Sequence, residues 1–180
     1  MHTILIPVVL MKNSTNFCKF VLGVTYYWAR DYFPNFVEED RRVFSSYDGA
    51  LYFSAIENID HGNYSCNVQS KVSDTGRNGP FFQLAVRPHA NYQQLKFPNN
   101  FPKAFPESLV AGHEVRLECV AFGYPVPSYN WTRVNGNLPR GSYKTSYNRV
   151  LIIPRVQVED QGEYIYVVQT TTELPLQTAS

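Results

Sequence analysis

The residues able to do chemistry are few and scattered. The histidines are His2, His61, His89 and His113. None sits in an H-E-x-x-H pair, and no two share a metal-ligand spacing. The cysteines are Cys18, Cys66 and Cys119, with no C-x-x-C to hold zinc. Glu38, Glu39 and Asp40 beside Arg41 and Arg42 would suit acid–base work. The same run also reads as a solvated hairpin, with Arg41 or Arg42 free to pair with Asp60 across a sheet end. Ser65 and Ser70 lack a nucleophile elbow. Asp60 and Asp160 each stand among non-acidic neighbours, whereas a calcium loop needs several converging oxygens. No phosphate loop or dinucleotide fingerprint occurs. The expectation is therefore no enzyme, no metal and no cofactor.

The elements that would carry these residues are legible from composition. The chain has 180 residues, 44% hydrophobic and 17% charged, with 12 Pro and 10 Gly. The charged fraction is too low for charge-driven disorder. A net charge of +1 leaves no footprint for nucleic acid or an anionic membrane. No apolar run is long enough to span a bilayer. Aromatic residues at 15%, with many turn formers, favour short strands.

A repeat of domain size organises these strands. Leu51, Phe53, Ile56, Asp60, Gly62, Tyr64 and Cys66 recur 100 residues later as Leu151, Ile153, Val156, Asp160, Gly162, Tyr164 and Tyr166. Upstream, Cys18 and Cys119 precede Trp28 and Trp131. A Cys, a core Trp and D-x-G-x-Y-x-C make the pattern of an immunoglobulin sandwich. Its indole is buried, and its Tyr fixes a corner through the hydroxyl. The expected fold is all-β: two tandem immunoglobulin-like sandwiches of I-set type, with Trp28, Tyr64, Trp131 and Tyr164 in the cores. The expected divisions are a divergent segment 1–16, a domain 17–87, a Pro-containing linker 88–104 and a domain 105–180 with a divergent or incomplete last strand. Segment 1–16 reads as a leader, a strand or an erroneous chain end. Pro125 and Pro127 end one strand before Trp131, and Asn135-Gly136 supplies a positive-φ turn.

From Gly23 to about Tyr164 the chain resembles the second and third immunoglobulin domains of the contactin family, its insect members most. The carrying stretches are GVTYYWARDYFPNFVEEDRRVF, SYDGALYFSAIENIDHGNYSCNVQSKVSDTGRNGPFF, NYQQLKFPNNFPKAFPE, ECVAFGYPVPSYNWTR and YNRVLIIPRVQVEDQGEY. The resemblance implies a non-catalytic module of an extracellular, membrane-anchored adhesion protein of neural tissue and septate junctions. Its partners would be neurexin-type or neuroglian-type cell-surface proteins, or a second copy. It also implies a Cys18–Cys66 disulfide, and hence an oxidising compartment. The chain departs from the family at Tyr166, where a Cys is expected, which leaves Cys119 an unpaired thiol. Loss of such a bridge, closing about 48 residues, removes about 4 kcal/mol in the chain-entropy model.

Three sequons, at Asn13, Asn63 and Asn130, are candidate glycosylation sites. The candidate contact surface is aromatic: Tyr27, Tyr32, Phe33 and Phe36 with Arg30. Alternation sends Tyr27 outward if Trp28 faces the core. The competing reading packs these rings on the neighbouring module or the linker. In that case the domains are spacers of a larger adhesion ectodomain, or part of a receptor ectodomain.

Overall fold

The structure is a computed structural model, and it describes residues 2–4, 24–86 and 93–170. The chain divides into two compact units. One is Pro7–Ala90; the other joins Met1–Ile6 to Asn91–Ser180. Among the described residues all regular elements are strands, apart from two single 3-10 turns at Asn58–Asp60 and Val158–Asp160.

Strand β1 (His2–Ile4) belongs to the second unit. The first unit contains β2 (Val24–Arg30), β3 (Val43–Ser45), β4 (Leu51–Phe53), β5 (Gly62–Ser70), β6 (Gly76–Asn78) and β7 (Phe82–Leu84). β2, β5 and β6 form one sheet in that order, and β7 continues along the free edge of β5. β3 and β4 form the opposing hairpin. The register along β5 slips by one residue between β6, where Asn67 faces Asn78, and β7, where Tyr64 faces Phe82. Gly79 lies in this bulge, and a Cβ there would come within 2.5 Å of the Cys66 carbonyl oxygen. Only glycine allows so close a backbone approach.

The second unit adds β8 (Gln93–Lys96), β9 (Lys103–Phe105), β10 (Val115–Glu118), β11 (Phe122–Tyr124), β12 (Ser128–Arg133), β13 (Tyr143–Thr145), β14 (Val150–Ile153) and β15 (Tyr164–Gln169). One sheet runs β13-β14-β10-β9, the other β1-β15-β12, and β8 pairs with β11. β11 ends at Tyr124, and β12 begins after Pro125 and Pro127. Alternation along β12 buries Tyr129 and Trp131 and exposes Asn130 and Thr132. These two rings join Val115, Leu117, Cys119, Leu151, Ile153, Tyr164 and Tyr166 in a single core. Asn135 takes the left-handed conformation expected of the turn, at φ 58°.

The expected linker needs correction. β8 and most of β9 lie inside 88–104, and both pair with strands of the second unit. Residues rich in amides and prolines looked like a tether, but Gln93–Lys96 finds a partner edge in β11. Residues 1–16 also contribute a strand, since His2–Ile4 pairs antiparallel with Tyr164–Tyr166.

Candidate recognition surface

Each unit is built on the same corner. The Tyr64 hydroxyl donates to the Asp60 carbonyl at 2.8 Å, and that of Tyr164 to the Asp160 carbonyl at 2.7 Å. In each 3-10 turn the aspartate carboxylate accepts the backbone N–H three residues back, from Glu57 at 2.6 Å and Gln157 at 2.8 Å. Arg42 reaches Asp60 at 2.5 Å, as one of the sequence readings anticipated. The pairing register repeats as well. Trp28 faces Cys66 and Arg30 faces Tyr64; Trp131 faces Tyr166 and Arg133 faces Tyr164.

That repeat gives Arg30 a role within its own module. It donates to the carbonyls of Ile59 and His61, and its guanidinium lies 5.8 Å over the Tyr64 ring. Arg133 does the same to Glu159 and Gln161 over Tyr164, at 5.7 Å. Both arginines end a strand beside the turn, where a five-donor fork fits several carbonyls. The exchange is invisible in the sequence because it joins residues about 30 apart through the fold.

Two cysteines are accounted for. Cys66 is disulfide-bonded, and Cys119 is a buried free thiol. Cys18 lies outside the described residues, as does Asn13. Burial pushes the Cys119 thiol upward, so it stays protonated and unreactive. Burial, and after it the neighbouring Cys119, pushes the Tyr166 phenol up to about 12. Trp131 is buried but its indole N–H has no acceptor among the described residues, whereas the half-buried Trp28 donates to the Gly49 carbonyl at 3.0 Å. Gly49 sits at φ 86°, a turn conformation that other residues resist.

The remaining candidates gather at the β2 end. The chain reverses through Asp31, at φ 63°, and returns so that Phe36 bridges to Ala29. Arg30 N–H donates to the Asn35 carbonyl at 2.8 Å. The Asn35 amide returns a bond to the Arg30 carbonyl at 2.9 Å. Asp31 accepts the Asn63 N–H at 2.9 Å, which ties the reversal to β5. This closed loop carries the rings. Tyr32 is 64% exposed, Phe33 50%, Phe36 48% and Tyr27 40%. Phe36 stands between Phe33 and Tyr27, with both ring centroids at 5.7 Å. The floor between β2 and β5 is of small or polar residues: Ala29, Ser65 and Asn67 are all buried. Ser65 donates to the Gly79 carbonyl and Asn67 to that of Ser65.

Sequence reasoning missed the exposed Phe81 and Phe82 at the bulge, although Gly79-Pro80 ahead of two rings was a signal. It also missed the buried ion pair of Glu118 and Arg149. Asn63 and Asn130 have exposed side chains, each next to a buried ring, Tyr64 or Trp131. Among the described residues no cluster of metal-ligating side chains occurs, and no helix is long and apolar enough to cross a membrane.

Known proteins fit this geometry. The immunoglobulin-domain family model matches residues 103–169. A contactin of Drosophila melanogaster is 67% identical over 141 residues, covering 78% of this chain and 10% of the relative. Both modules are of the contactin family. Contactin-3 of Rattus norvegicus is 36% identical over 82% of the chain, which is 15% of that relative. The solved immunoglobulin domains 1–5 of Sidekick-1 superpose with a TM-score of 0.68 at 24% identity, over 81% of the chain and 30% of theirs, and establish the shared fold. The chain thus spans a tenth to a seventh of these contactin relatives.

Proposed function

We propose that this pair of contactin-type modules is a recognition element of an extracellular adhesion protein, binding other cell-surface proteins through the aromatic hairpin of the first module. The observation that carries the reading is the exposure of Tyr27, Tyr32, Phe33 and Phe36 on a loop closed by its own hydrogen bonds. Rigid rings give large contact area at low ordering cost, which is how interface anchors work. Partners of the neurexin or neuroglian type follow from the family likeness, as do membrane anchoring of the longer protein and a place at septate junctions. Cys18 is the partner we assign to Cys66, and Asn63 and Asn130 are the sites assigned to glycans.

The test replaces Tyr32, Phe33 and Phe36 together by alanine. Binding of the labelled chain to cells displaying neurexin-type or neuroglian-type ectodomains should fall at least about tenfold, with melting unchanged. Lost stability with intact binding would instead make the modules spacers.

A further inference from the structure

The rim of the aromatic face is charged on one side. Val37 N–H donates to the Trp28 carbonyl at 2.8 Å, and the chain then leaves this edge as Glu38, Glu39 and Asp40, all exposed. Asp40 accepts the N–H groups of Arg42 and Val43, so the segment is anchored. Arg41 is the one exposed cation in this run. On the other flank Arg30 and Asp31 pair at 3.5 Å and cancel. The rings are therefore bordered by net negative charge in a chain whose overall charge is +1.

We infer that this face takes a partner surface with an apolar centre and a basic border, and does not take a second copy of itself. A twofold contact would set the patch against its own image. Depending on where the axis runs, Glu38 and Glu39 of one copy would face either the same acids of the other, within the roughly 8 Å over which charges act at physiological salt, or its cancelled Arg30–Asp31 pair, and neither supplies a basic border. Such juxtapositions suppress wrong partners, and complementary ones steer right ones. The inference rests on the aromatic reading above and specifies the chemistry of what binds there.

A reversed rim supplies the probe. The Glu38→Lys/Glu39→Lys variant presents the same rings with a basic border, and both changes lie at exposed positions. Sedimentation velocity of the full chain at about 100 µM would compare each protein alone with their equimolar mixture, at about 50 and about 500 mM salt. Each alone should run as a monomer. The mixture should form a heterodimer at low salt that weakens about tenfold or more at high salt. Tyr32→Ala, Phe33→Ala and Phe36→Ala together in either component should abolish it. Ring-dependent dimers of the unaltered chain alone, or a mixture that stays monomeric, would overturn the inference. If the alanine variant loses cell-surface binding while the mixture stays monomeric, only the partner's charge is wrong. If the alanine variant keeps that binding, the aromatic reading itself fails.

Discussion

Tyr166 stands opposite Trp131 on the neighbouring strand, its ring 5.7 Å from the indole and tilted by 47°. The first module places disulfide-bonded Cys66 opposite Trp28 in the same register. A phenol thus occupies the bridge position and packs where the sulfurs would, leaving Cys119 as a thiol in the core. Tyr166→Cys should restore the covalent link. Spontaneous oxidation with Cys119 would stabilise the second module by about 2–4 kcal/mol, the typical range for a disulfide, with the chain-entropy value for this loop at its upper end. Loss of the free thiol, with a higher melting temperature that reverts on reduction, checks it. A variant that keeps two thiols would show that Tyr166 does not hold the bridging geometry.

The same phenol makes the second module sensitive to alkali. Burial raises Tyr166 from its usual 10 to about 12, and raises Tyr64, Tyr164 and the Cys119 thiol too. The unfolded chain releases these protons first, so it binds fewer of them above pH 10. The stability contributed by the protonated tyrosines is complete below pH 10 and is lost as pH rises toward 12, and that of the Cys119 thiol is complete below pH 9. Melting temperature should therefore decline over that window. Tyr166→Phe, which cannot ionise, should flatten the decline.

The corner aspartates separate the two modules. Asp60 is buried, holds Arg42 and accepts the Glu57 N–H; the Asp160 carboxylate is half-exposed and accepts the Gln157 N–H. Asp60→Asn leaves Arg42 facing a neutral amide, and should cost about 3 kcal/mol. Asp160→Asn loses only part of a cap, at about 0.5–1 kcal/mol. Denaturant midpoints of the two variants should differ accordingly, and equal losses would show that the ion pair contributes nothing.

What was legible follows from distance along the chain. Asp60 to Tyr64 and Asp160 to Tyr164 are four residues apart, so each corner is written locally and repeats at 100 residues. Trp131 was legible because alternation on β12 is strict. The bonds that Arg30 makes within its module were not legible, because its acceptors, Ile59 and His61, come near only once β2 and β5 pair. Gln93–Lys96 was taken for linker since its sequence lacks alternating apolar residues, and its strand character comes from the edge offered by β11. Alternation placed Tyr27 outward, but the exposure of Tyr32, Phe33 and Phe36 depends on the reversal at Asp31, which alternation does not announce.

The ion pair of Arg149 with Glu118 joins residues 31 apart, with Glu118 fully buried. Taking two charges out of water is costly, and each offsets part of that cost for the other. Arg149→Met would remove the cation beside the buried Glu118 carboxylate, so the chain should lose about 3–5 kcal/mol, or Glu118 should hold a proton in the folded state that the unfolded chain releases. The second effect raises the carboxyl in the variant, so its stability deficit should shrink as pH falls through the carboxylate range. Removing both charges, as Arg149→Met with Glu118→Leu, should recover most of the loss, because no unpaired charge remains. Chemical unfolding of the three variants at neutral and acid pH checks this. A double variant no more stable than Arg149→Met would mean that the pair's geometry, rather than its charge balance, holds this part of the sheet.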